Sequence, residues 1–155
     1  MSGVTKHIFE HELDDILSMW NTEIKSVTPL LPRKYTKADI IALLKYYYPH
    51  EWQSVESKYK YYRTKDKYLK RRFGKSRYNM SEPELLIQRV SAFKKIFSES
   101  YKYAHWNAYS ERNRVDSSVK LWEARKYKID RINSKIEIAL SKTQQVTPSF
   151  INQLI

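Results

Sequence analysis

The chain has 155 residues, 30% of them charged, and a formal net charge of +12; a domain of this size buries roughly 68–70% of its unfolded surface and needs no covalent staple. Cys is absent, which excludes a disulfide framework and any thiolate zinc site, and the two glycines, Gly3 and Gly74, are too few for a turn-rich all-β fold or for the G-x-G-x-x-G and Walker A phosphate loops. No apolar run approaches the roughly 20 residues of a membrane span, and the N-terminus lacks the apolar core of a signal peptide, so the expectation is a soluble, cytoplasmic protein with no membrane contact.

The first predicted element is a helix from about Thr5 to Lys25. Phe9, Leu13, Ile16, Leu17, Trp20 and Ile24 recur at helical spacing and make one apolar face. Thr28-Pro29-Leu30-Leu31-Pro32 interrupts it. Thr36 followed by Asp39 reads as a capping box with Asp in place of Glu. It opens a short helix through Ile40, Leu44 and Tyr47 that ends before Pro49. A long helix follows from about His50 or Glu51, with Trp52, Val55, Tyr59, Tyr62, Leu69 and Phe73 on an a/d stripe. Asp66 falls on the same stripe, where a carboxylate is costly to bury unpaired. It is expected to reach Lys70 one turn on, or to mark where the stripe surfaces. Gly74 suits the left-handed position that ends a helix.

After a loop over residues 75–80, Ser81 with Pro83 and Glu84 starts a further helix, whose buried face is Leu86, Val90, Phe93, Phe97, Tyr101, Ala104 and Ala108. Asp116-Ser117-Ser118 is expected to cap a last long helix, with Trp122, Ile129, Ile132, Ile136 and Ala139 near heptad spacing. Residues 142–147 read as a linker, and Thr147-Pro148 as the start of a short turn with Phe150, Ile151 and Leu154. The expected fold is all-α: one domain over residues 1–155, a bundle of five or six helices that includes a long basic helix and a long C-terminal helix. The Trp122–Ile136 stripe offers an interface for a homodimer.

Charge is distributed unevenly. Lys58, Lys60, Arg63, Lys65, Lys67, Lys70, Arg71, Arg72, Lys75 and Arg77 face Asp66 as the single acid of their segment. On the stripe register these cations avoid every a and d position. Tyr59 and Tyr62 turn to the core, whereas Tyr61 and Tyr68 lie among the lysines. Ordinary solvated helix faces mix signs, and unrelieved like charge at i,i+4 destabilises a helix by a few tenths of a kcal/mol per pair. Cations interleaved with exposed aromatic rings suit a polyanion whose bases offer π-faces.

Elsewhere, His7-Ile8-Phe9-Glu10-His11 matches H-x-x-E-H, a pattern of zinc hydrolases. It lies on the polar side of an amphipathic helix near the terminus and reads as an exposed acidic face. His50 and His105 lack the clustered carboxylates that would hold Mg²⁺ for a nuclease. Arg112, Arg114, Lys120, Arg125, Lys126, Lys128, Arg131 and Lys135 form a second, diluted basic region interrupted by Glu123, Asp130 and Glu137. The sequence thus predicts a non-catalytic nucleic-acid-binding protein, without cofactor or metal. Its binding surface would be Lys58, Lys60, Tyr61, Arg63, Lys65, Lys67, Tyr68, Lys70, Arg71, Arg72, Lys75 and Arg77, and its partner RNA or DNA. The alternatives are an inhibitor or adaptor that binds a nucleoprotein complex, of the kind phages and mobile elements encode, and a basic self-assembling subunit.

Overall fold

The computed structural model describes residues 3–146, and the surroundings of side chains from residue 6 to residue 140. The described residues are helical apart from short connections and contain no strand: α1 (Gly3–Val27), α2 (Lys37–Tyr47), α3 (Pro49–Phe73), α4 (Pro83–Leu86), α5 (Ser91–Ile96), α6 (Glu99–Ala108) and α7 (Glu111–Val146), with two 3₁₀ turns at Thr28–Leu30 and Ile87–Arg89. The chain divides into two compact units, Met1–Ser118 and Val119–Ile155.

In the first unit α1 is the central element. It packs on α2, on α5 and on both 3₁₀ turns, while α3 packs on α2 and α4. Of the apolar face predicted for α1, Phe9, Ile16, Trp20 and Ile24 are buried and Leu13 and Leu17 half-buried, and Val27, beyond the predicted end, is buried as well. Trp20 meets Trp52 of α3 at 5.5 Å between ring centroids, and the Trp52 indole donates to Glu56 Oε1 at 2.7 Å, so its one polar atom is satisfied. Full burial of side chains such as these stabilises by about 1.5–3 kcal/mol each, before chain entropy is charged against it.

The predicted stops and starts of α2 and α3 are present. Thr36 caps α2 in a reciprocal box with Asp39, and Gly74 ends α3 at φ 79° with its N–H on Lys70 O. Asp66 is 9% exposed and does not turn to Lys70. Its carboxylate accepts the backbone N–H groups of Arg77, Tyr78 and Asn79 at 2.9, 2.9 and 2.6 Å. The loop after α3 is therefore folded back onto the helix. This seats Tyr78 in an aromatic cluster with Phe9 and Tyr62, with centroid distances of 4.6–5.1 Å. Phe73, expected in the core, is 65% exposed, with the Arg72 guanidinium 5.7 Å over its ring.

The helix expected from Ser81 onward is instead three. Val90 is extended (φ −71°, ψ 133°) and ends the second 3₁₀ turn. Ser98 is extended (φ −70°, ψ 148°) and caps α6 by accepting the Tyr101 N–H. Leu86, Val90 and Phe93 are buried as expected, but Ala104 and Ala108 face solvent, because the bend at Ser98 redirects the apolar face. The last helix starts at Glu111, a turn before the expected cap at Asp116. Ser110 does the capping, its Oγ accepting the Asn113 N–H at 3.3 Å. This helix is continuous to Val146, over most of the segment read as a linker, and the expected turn at residues 147–155 lies outside the described residues. In the second unit Trp122, Ile132 and Ile136 are exposed on α7, and Arg125 is buried.

Candidate functional site

Two surfaces in the first unit carry enough chemistry to matter. One is the face predicted from sequence. Lys58, Lys60, Tyr61, Arg63, Lys65, Lys67, Tyr68, Lys70, Arg71 and Arg72 all lie on α3, and Lys75 and Arg77 on the loop that follows. Tyr61 and Tyr68 are 53% and 54% exposed, as the register requires. The charge is less available than its count suggests. Lys58 Nζ is 3.4 Å from Glu12 of α1. Lys65 Nζ lies 4.8 Å over the Tyr61 ring, and its hydrogen bond with that phenol holds the lysine pKa above the usual value. Arg77 is half-buried in the loop that Asp66 holds. Glu12 also accepts the Tyr62 hydroxyl at 2.7 Å. Burial first, and that bond second, raise the Tyr62 pKa.

The second surface was not found from sequence. Between the end of α1, α5 and α6 lies a cavity of about 400 Å³, walled by Lys25, Thr28, Ala92, Lys95, Tyr101 and His105. A smaller cavity of about 180 Å³ adjoins it and shares Pro29 and His105. Its far wall is the start of α7, with Ser110, Asn113, Arg114 and Ser117. No Asp or Glu is among the lining residues of either cavity.

The rim is held by specific bonds. His105 Nε2 is 2.9 Å from Pro32 O; a carbonyl only accepts, so that nitrogen carries the proton and Nδ1 is the acceptor of the neutral ring. The ring stands edge-on to Tyr35 at 5.1 Å. The Tyr35 hydroxyl donates to Ile96 O, and burial, with Tyr101 nearby, pushes its pKa up to about 12. Burial also raises the pKa of Tyr101. Arg114 is already engaged, by Leu30 O at 2.9 Å and by Glu111 at 3.1 Å. Lys25 and Lys95 form no ion pair among the described residues.

His7 and His11 are exposed on α1, and His11 Nε2 lies 4.0 Å from Asp15. No group of three or more His, Cys, Asp or Glu able to hold a metal occurs among the described residues. No described helix is long and apolar enough to cross a membrane.

No family model and no solved structure matches the chain. Over its whole length it is 26% identical to a protein of Cytobacillus dafuensis that carries the provisional name cyclic ADP-D-ribose synthase TIR2, and it spans 41% of that relative's length. This likeness corrects the sequence reading. The relative is named as an enzyme of a small nucleotide, so the prediction of a non-catalytic nucleic-acid-binding protein is overturned, along with its two alternatives. On α3 itself, Lys58 is paired with Glu12 and Lys65 lies over the Tyr61 ring, so not every cation of the segment stands free.

Proposed function

We propose that the chain makes up the helical part of an enzyme that forms cyclic ADP-D-ribose from an ADP-ribosyl donor such as NAD. The observation that supports this most is the extent of the alignment, since all 155 residues run alongside the relative named for that product. The chain spans less than half of that relative, so the reading concerns the share of the work that these residues do.

With NAD as donor, cyclisation breaks the bond between the distal ribose and nicotinamide, which leaves, and makes a new bond from the same carbon to the adenine base of the same molecule. A nucleotide that reacts with itself must be bent and held bent, which is catalysis by positioning. The holding groups for such a molecule are cations at its diphosphate, hydroxyl and amide partners at its riboses, and a flat wall for the base. With no glycine-rich loop to supply backbone N–H groups, a chain of this composition has to hold phosphates with side chains on helices.

The test is a segment exchange. The stretch of the Cytobacillus dafuensis relative that aligns with this chain is replaced by the chain, and the product formed from the ADP-ribosyl donor NAD is identified by mass spectrometry. Cyclic ADP-D-ribose is expected from the exchanged protein and not from a version that lacks the stretch. An exchanged protein no better than the deletion, beside an active parent, would remove the reading.

A further inference from the structure

We propose that the double cavity around His105 binds the diphosphate of an ADP-ribosyl nucleotide at Lys25 and Lys95, with the flanking sugar turned toward the start of α7. This rests on the cyclic ADP-D-ribose reading for the identity of the ligand, but its geometry stands apart from it.

Charge placement supplies the first argument. Lys25 comes from the last turn of α1 and Lys95 from α5, seventy residues apart in sequence, yet they line one cavity with no acid in its wall. The lysines of α3 are spread along a 25-residue helix, and Lys58 there is paired with an acid. Two ammonium groups that line one cavity without an ion pair repel each other. A dianion placed between them removes that repulsion and gains two charge-assisted contacts.

Size and chemistry supply the second. About 400 Å³ is within the range of pockets that take small molecules and cofactors. Tyr101 and His105 are one turn apart on α6, so both rings belong to one wall, suited to the face of a base. His105 also faces the smaller cavity, where Ser110, Asn113 and Ser117 are neutral hydrogen-bonding groups fit for ribose hydroxyls. Arg114, already held by Glu111 and Leu30 O, closes that end and leaves the two lysines as the cations open to phosphate.

The experiment uses the whole chain and titrates it calorimetrically with ADP-ribose, with AMP and inorganic pyrophosphate in parallel. ADP-ribose is expected to bind more tightly than either fragment. Replacing both Lys25→Glu and Lys95→Glu is expected to weaken it about tenfold or more, and the milder Lys25→Gln with Lys95→Gln less so. All four changes are at exposed side chains, and the Gln pair tests the site even if the Glu pair does not fold. Lys67→Glu on α3 makes a charge reversal of the same kind outside the cavity and is expected to leave affinity unchanged. No binding of ADP-ribose, pyrophosphate bound as tightly as ADP-ribose, or equal losses from Lys67→Glu and the groove pair would each overturn the proposal. Binding at the groove with an inactive segment exchange would remove the enzyme reading and keep the site. An active exchange whose chain binds no ADP-ribose would do the reverse.

Discussion

Asp66 fastens the loop after α3 with one carboxylate that accepts three backbone N–H groups. Asp66→Ala leaves the buried Tyr78 N–H and the part-buried N–H groups of Arg77 and Asn79 without their acceptor, and a hydrogen bond to a charged group contributes a net of about 1.5–3 kcal/mol. The expected outcome is a loss of about 2–4 kcal/mol, read as a lower urea midpoint with an unchanged slope; a midpoint that does not move would refute this role. The position was conspicuous in the sequence, a carboxylate on an apolar stripe. Its partners were not legible, because they are backbone groups 11–13 residues away, and no side-chain pattern announces a backbone donor. Tyr35 and Tyr62 make a prediction of opposite pH sense to a surface acid. Both hold their protons more tightly when folded than an ordinary tyrosine near 10. Above that pH the unfolded chain releases protons that the native chain keeps, so stability falls as pH rises toward about 12. A melting temperature flat from pH 9 to about 11.5 would contradict this, and Tyr35→Phe is expected to flatten the decline.

At the level of elements, α1 to α3 follow local rules and the segment from 83 to 110 does not. Thr36 with Asp39, and Gly74 after a basic last turn, are signals within four residues of the ends they mark. Gly74 sits at φ 79° and an added Cβ would meet nothing within 4 Å. Gly74→Ala is therefore expected to cost only backbone strain, about 1 kcal/mol. A loss well above that would mean that the turn carries the Asp66 loop cooperatively, and thermal unfolding measures it. Between Leu86 and Ala108 the apolar residues keep helical spacing across two bends. Three short helices wrapped on one core present nearly the same periodicity as one long helix. Ser98 and Ser110 were the available cues, each placed three residues before the N–H it accepts. Of the stripe expected on α7, Trp122, Ile132 and Ile136 are exposed, but so are Val115, Val119, Tyr127, Ile138 and Leu140, which the expected stripe does not include.

For the whole molecule, net charge alone does not say which surface carries function. The richest run of cations lies on α3, whereas the acid-free cavity draws its two lysines from positions 25 and 95, and the smaller cavity beside it has its far wall at positions 110–117. Residues so far apart in sequence share a site only after α1, α5 and α6 have packed, so no local motif could reveal it. His105 was noted in the sequence, but only as a residue at a helix edge, and the carbonyl of Pro32 that fixes its tautomer is 73 residues away. These residues are proposed to do the work of the matching part of a cyclic ADP-D-ribose synthase. The segment exchange tests this most directly, through the rate of cyclic ADP-D-ribose formation from NAD by the relative carrying this chain. The account predicts a kcat/KM within about two orders of magnitude of the parent and far above the deletion, and a rate indistinguishable from the deletion would contradict it.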